Sequence, residues 1–256
     1  MLFRSASRLL GADDTLVFYG GGNTSIKIDD VLYVKGTGSD LATVTEASFT
    51  PLHLTATRQV LRSACADNAA MMRELDGCLA KRPAPRPSIE TLLHGSLPFA
   101  CVDHTHAAPV LAALNVDNVA ETHAAIYGDL APLVPYRHSG HELAHACMDV
   151  FTAKATHQTI GLVLAYHGIV SFGDTVRASY ENMIALASRA EAWLQSRGAW
   201  TLPLSEPNQG GTCPQHQLIS AVAGKALTCH VVNTPLTRTR SEEHTSELQS
   251  RFGISY

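Results

Sequence analysis

In "CVDHTHAAPV", residues 101 to 110, His104 and His106 stand two apart after a short apolar run. On a β-strand, residues i and i+2 point to the same face, so both rings can reach one ion. A third ligand must then come from elsewhere. His167 qualifies, because it ends the apolar run "TIGLVLAYH" and precedes Gly168, where backbone can approach closely. Three neutral imidazoles and one open position form the donor set of a catalytic zinc site. The same two histidines also fit a plain strand end, and the HxH spacing alone does not separate these readings.

Glu90 lies in the first turn of an expected helix, where the helix dipole favours a carboxylate. Beside a metal it could instead serve as general acid and base. Burial near Ile89 would raise its pKa, and zinc would oppose that rise. "GGGNTS" and "KGTGSD" form a further pair of features. Backbone amides of Gly-rich turns, with Asn and Thr donors, suit a phosphate. The spacing matches neither the P-loop nor the Rossmann fingerprint. Two turns flanking a hairpin would look the same.

The elements around these residues read as strands and helices in alternation. "NTSIKID" and "VLYVKG" alternate apolar and polar residues, with Asp29 and Asp30 as the turn between them. Residues 49–80 have helical spacing, interrupted near Asp67, and "KRPAPRPS" is a proline-rich connection. Ser88 suits the N-cap of a helix in "IETLLHGSL". "FACVDHTH" is a strand, "AAPVLAALN" a helix, "APLVPY" a short strand and 140–155 a helix. Residues 159–173 read as a strand or hairpin. Residues 174–198 form an amphipathic helix with Val176, Tyr180, Met183, Ile184, Leu186, Ala187 and Leu194 on its apolar stripe. This mixture specifies a layered α/β domain, without internal repeats.

The 256 residues are 45% hydrophobic and 16% charged, enough apolar material for a sizeable core. A net charge of -4 gives no footprint for nucleic acid. No apolar run reaches membrane-spanning length, and the start lacks the core of a signal peptide, so a cytoplasmic protein without membrane partners is expected. The six cysteines contain no CxxC pair and read as reduced thiols.

Taken in order, "GGGNTSIKIDDVLYVKGTGSDLATV", "PSIETLLHGSLPFACVDHTHA" and "HGIVSFGDTVRASYENMIALASRAEAWL" resemble the class II aldolase/adducin family. The likeness is to the aldolase half of bifunctional rhamnulose-1-phosphate aldolase/alcohol dehydrogenases. It implies a three-layer α/β/α fold with a central, mainly antiparallel sheet. It also implies Zn²⁺ on His104, His106 and His167, with Glu90 catalytic. Gly22, Asn23, Thr37, Gly38 and Ser88 match positions that hold the substrate phosphate. The implied reaction cleaves a ketose 1-phosphate, such as L-rhamnulose 1-phosphate, to dihydroxyacetone phosphate and lactaldehyde. The alternatives are a pentulose-phosphate 4-epimerase and an adducin-like module without catalysis. A homo-oligomer with sites near subunit interfaces is expected from the same likeness. His94, His123, His138, His141 and His145 receive no role.

Both ends read as foreign. "RSEEHTSELQS", Arg240 to Ser250, resembles a translated sequencing adapter, and "MLFRS" resembles the adapter's other side. Residues 1–5 and 240–256 are therefore expected to be artefacts. Residues 6–200 would form the aldolase domain, and 201–239 the truncated start of a following segment.

Overall fold

Helix α1 (Leu2–Gly11) opens the fold. Residues 2–5, read from sequence as adapter-derived, form its first turn, and Phe3 packs on Phe49 with ring centroids 4.8 Å apart. The computed structural model describes residues 2–200 apart from Tyr19, Gly20, Ala64 and Ala66, so the segments 201–239 and 240–256 lie outside the described residues. Strands β1 (Asn23–Ile28) and β2 (Val31–Lys35) form the expected hairpin across Asp29 and Asp30. Asp29 takes a left-handed φ of 52°, a conformation that a short polar side chain tolerates.

The helix expected from residue 49 starts later. Strand β3 (Phe49–His53) comes first and pairs antiparallel with β2. Its Pro51 has no N–H, which suits the end position that β3 occupies in the sheet. Helices α2 (Leu54–Arg62) and α3 (Asn68–Gly77) follow. The break falls at Asp67, whose carboxylate accepts the Ala70 N–H at 2.7 Å as the cap of α3.

Next come α4 (Thr91–Ser96), β4 (Cys101–Thr105), α5 (Ala108–Leu114) and α6 (Val119–Ile126). Helix α6 was not read from the sequence. The chain continues through β5 (Leu133–Val134), α7 (His141–Lys154), β6 (Gly161–Leu164), β7 (Gly168–Gly173) and α8 (Val176–Gln195). Residues 159–173 are thus a hairpin. On α8 the inward residues Met183, Leu186, Ala187 and Leu194 are buried, while Val176, Tyr180 and Ile184 are half-buried at the flank.

The sheet order is β3-β2-β1-β4-β7-β6-β5, antiparallel except between β5 and β6. Helices α2, α3, α4 and α7 pack together on one face, and α1, α5, α6 and α8 on the other. This is the expected three-layer α/β/α arrangement with a mainly antiparallel sheet. Strand β4 is central and buried along its whole length. Val102 joins the apolar cluster of Leu92, Leu93, Leu143 and Phe172 on the α4 face. Burial of each such side chain contributes about 1.5–3 kcal/mol. Asp103 and Thr105 turn to the other face, where they bond Ser179 and Met183 of α8. That alternation sends His104 to the α4 face. Among the described residues, Cys65, Cys78, Cys101 and Cys147 are free thiols, and no helix is long and apolar enough to cross a membrane.

Candidate metal centre

Strand register brings the proposed chemistry together. Asn23 of β1 stands opposite His104 of β4, and His104 stands opposite Val170 of β7. His106 lies just beyond the end of β4, and His167 lies in the β6–β7 turn. Glu90 reaches the same point from the start of α4. The ligand atoms of Glu90, His104, His106 and His167 all lie within 4.8 Å of one another.

Two glycines permit this convergence. A Cβ on Gly168 would stand 2.5 Å from the Thr105 carbonyl oxygen and 3.1 Å from the His106 ring. A Cβ on Gly22, at a φ of +66°, would stand 2.9 Å from the His104 carbonyl oxygen. Tyr166, just before His167, adopts a φ of 57°. A non-glycine residue there costs about 1–2 kcal/mol, so the turn holds a strained residue next to a ligand.

The donor set fits a metal ion. His104 Nδ1 bonds the Ile169 carbonyl oxygen at 3.0 Å, which leaves the Nε2 lone pair facing the cluster. The Nε2 atoms of His104 and His106 are 3.2 Å apart, and those of His106 and His167 are 3.1 Å apart. Two nitrogens on one tetrahedral zinc, each about 2.0–2.1 Å from it, lie about 3.3 Å apart. Glu90 Oε1 lies 3.1 Å from His167 Nε2 and 3.5 Å from His104 Nε2. Three imidazoles and one carboxylate therefore surround a point that can hold a metal ion.

Helix α4 starts later than expected, and this places Glu90. The Ser88 hydroxyl accepts the Glu90 N–H at 3.2 Å, and the Ser88 carbonyl accepts the Thr91 hydroxyl at 2.7 Å. This local turn competes with the helix. Glu90, rather than Ser88, takes the N-cap position, with φ −95° and ψ 7°. That bridge conformation is sparsely populated and recurs at active sites.

Burial disfavours the Glu90 carboxylate, but His104 and His167 outweigh it and hold the carboxyl well below its usual range. The rise expected from sequence is therefore reversed by the two imidazoles that stand against the carboxyl. Burial also disfavours charge on His104, yet Glu90 raises its pKa. His106 is pushed down to about 3, by burial first and then by His104. Neutral imidazole is the form that binds a metal.

The five residues read as phosphate contacts gather beside Glu90. Gly22 precedes Asn23, whose Nδ2 lies 3.5 Å from Ser88 Oγ. The Thr37 N–H donates to the Arg86 carbonyl at 3.0 Å and its hydroxyl to the Pro87 carbonyl at 3.3 Å, which anchors Thr37 and Gly38 next to Ser88. Asn23 has a second engagement, since its Nδ2 donates to Glu90 Oε2 at 2.7 Å. His94, unassigned from sequence, bonds this amide through Nε2, and Ser25 bonds His94 in turn at Nδ1. The available signal was spacing, because His94 follows Glu90 by four residues and so shares its side of α4.

Residues 3–194 match the family described as "Class II Aldolase and Adducin N-terminal domain". The N-terminal class II aldolase domain of a conserved protein from Thermoplasma acidophilum is 34% identical, with a TM-score of 0.69, over 75% of this chain and 92% of that one. L-fuculose-1-phosphate aldolase from Thermus thermophilus shares the fold at 16% identity and a TM-score of 0.52, over 77% of this chain and 92% of that one. The "Uncharacterized oxidoreductase YuxG" of Bacillus subtilis (strain 168) is 34% identical over 75% of this chain, which spans only 29% of that relative. By the extent of these matches, the chain belongs to the class II aldolase and adducin N-terminal domain family.

Proposed function

We propose that the chain is a zinc-dependent aldolase that cleaves a ketose 1-phosphate, with L-rhamnulose 1-phosphate as the first candidate. The convergence of Glu90, His104, His106 and His167 on one point carries this reading. The fuculose-phosphate aldolase that shares the fold supports the substrate class. The longer relative named as an oxidoreductase supports a dehydrogenase partner segment, which would consume the lactaldehyde.

In this reading His104, His106 and His167 hold the zinc, which supplies Lewis-acid stabilisation of charge on the substrate's carbonyl and hydroxyl oxygens. Gly22, Asn23, Thr37, Gly38 and Ser88 receive the phosphate and fix the sugar's register. The C4 hydroxyl gives its proton to the Glu90 carboxylate as the C3–C4 bond breaks and C4 becomes the aldehyde carbon. The bonding electrons remain on the C2–C3 fragment as an enediolate. Glu90 returns a proton to C3, giving dihydroxyacetone phosphate. The reading extends to a homo-oligomer with sites near subunit interfaces, which sedimentation would check.

Product analysis with the full chain tests the reading. Rhamnulose 1-phosphate should yield dihydroxyacetone phosphate and lactaldehyde, with about one zinc ion per chain. Epimerisation of a pentulose phosphate without release of an aldehyde would favour the 4-epimerase. A chain that neither retains metal nor turns over sugar phosphates would favour an adducin-like module.

A further inference from the structure

His94 is fully buried in α4, against the polar row of β1. Both of its ring nitrogens are engaged: Nε2 with Asn23 Oδ1, and Nδ1 with Ser25 Oγ at 2.8 Å. The polarity of these contacts can be fixed from the far end. A carboxylate only accepts hydrogen bonds, so the Asn23 group facing Glu90 Oε2 at 2.7 Å must be its NH₂. The Asn23 carbonyl oxygen then faces His94 and can only accept. His94 must donate to it from Nε2, which leaves Nδ1 as the acceptor for Ser25. The Ser25 hydroxyl has one hydrogen, and His94 Nδ1 at 2.8 Å is nearer than its other acceptor, the Val102 carbonyl at 3.4 Å.

We infer that His94 is a positioning residue for Glu90, acting through Asn23 at the end of a one-way chain of donors from Ser25 to His94 to Asn23 to Glu90. The chain holds Oε2 and leaves Oε1 directed at the three histidines. Glu90 thereby gives its two oxygens different tasks, one for orientation and one for proton transfer. The Glu90 carboxylate already disfavours an amide flip, which would set the Asn23 oxygen against its own. The Nε2–H of His94 rejects that flip, since two donors would then face each other. Burial supports the same assignment by keeping the ring neutral. The catalytic task assigned to Glu90 rests on the aldolase reading, but the donor chain does not.

Two measurements on the full chain test this. Long-range proton–nitrogen NMR of labelled protein at pH 7, with His94 assigned by its loss in His94→Gln, should show a neutral Nε2–H tautomer. An Nδ1–H tautomer or an imidazolium at that position would overturn the chain, whether or not the protein is an aldolase. His94→Phe should retain its zinc and lower kcat about 10–100-fold, the usual range for partners that orient a metal site. KM should stay near its starting value. His94→Gln, which keeps one donor, should recover part of the loss. Unchanged kcat in His94→Phe would overturn the positioning role, as would a loss confined to KM. If His94→Phe does not fold, the tautomer in the unsubstituted protein still decides. Absence of cleavage alongside the Nε2–H tautomer would sink the aldolase reading and leave the donor chain standing.

Discussion

Strand β4 buries polar groups on both sides of the sheet, and the two sides are built differently. On the α8 side, Ser179 donates to Asp103 at 2.7 Å, Ser171 to the Ser179 carbonyl at 2.9 Å, and Ser7 to the Phe3 carbonyl at 2.9 Å. Each of these hydroxyls has a nearby acceptor; those of Ser179 and Ser171 tie α8 to the sheet, and Ser7 also meets the Thr24 hydroxyl of β1 at 2.8 Å. On the α4 side, one residue along the strand, the ligand atoms of three imidazoles and a carboxylate converge within 4.8 Å of one another. Burial of polar groups is therefore common to both sides. What marks the candidate site is the convergence of three imidazoles and a carboxylate on one point that can hold a metal ion.

The largest effect should come from removing that convergence. His104→Ala combined with His106→Ala should abolish metal binding, read by elemental analysis, and bring cleavage to background. Metal content equal to that of the parent would break the comparison. Glu90→Gln should come next, keeping the metal on three histidines while cleavage falls about 10²–10⁴-fold, the usual worth of a positioned acid or base. Full retained turnover would remove Glu90 from the chemistry.

The opposite side should respond in stability alone. Asp103→Ala leaves the Ser179 hydroxyl without its acceptor and should cost about 1–3 kcal/mol in denaturant unfolding at pH 4, shrinking as pH rises towards 7, because burial lifts the Asp103 carboxyl to about 7. Zinc content and kcat should not move. Loss of zinc in this variant would mean that the two sides of β4 are coupled and the contrast between them is false.

Sequence spacing carried part of this contrast and could not carry the rest. His104 and His106 were legible because a strand's period of two is local, and α8 because its apolar stripe spans many turns. The β1–β2 hairpin was legible from its alternation and its Asp-Asp turn. Strand β3 was lost because "FTPLH" runs directly into a helix and holds a proline that is acceptable only at the end of a sheet. Helix α6 has little amphipathic contrast, and α1 begins within residues read as foreign. The pairing of Asn23 with Glu90 joins residues 67 apart, so only the sheet register reveals it. The low pKa of Glu90 belongs to the same class, because it depends on imidazoles delivered by two other elements.

The smallest test uses the row Asn23, Ser25 and Lys27, which lies on the α4 side of β1. Its first two members serve Glu90, whereas Lys27 donates to the Phe99 carbonyl at 2.7 Å and touches no ligand. Burial, and then Arg58, push the Lys27 ammonium down to about 7 from an ordinary 10.5. Between those values the unfolded chain holds a proton that the folded chain has released, so stability rises with pH across that window. One proton limits the slope to about 1.4 kcal/mol per pH unit. Cys101 opposes this at higher pH, because burial lifts its thiol to about 11 and the folded state then holds a proton that the unfolded chain loses above 9. Asp103, lifted to about 7 by burial, opposes the rise near pH 7, and Lys35, lowered by burial, adds to it. The Lys27 contribution is therefore read as the difference between the parent and Lys27→Met across pH 7 to 9. Denaturant unfolding should show stability rising across it, and Lys27→Met should flatten the rise with its largest gain at pH 7. A slope unchanged by the substitution would show that Lys27 does not titrate there. In that case the row's third member would no longer contrast with the two that serve the metal centre.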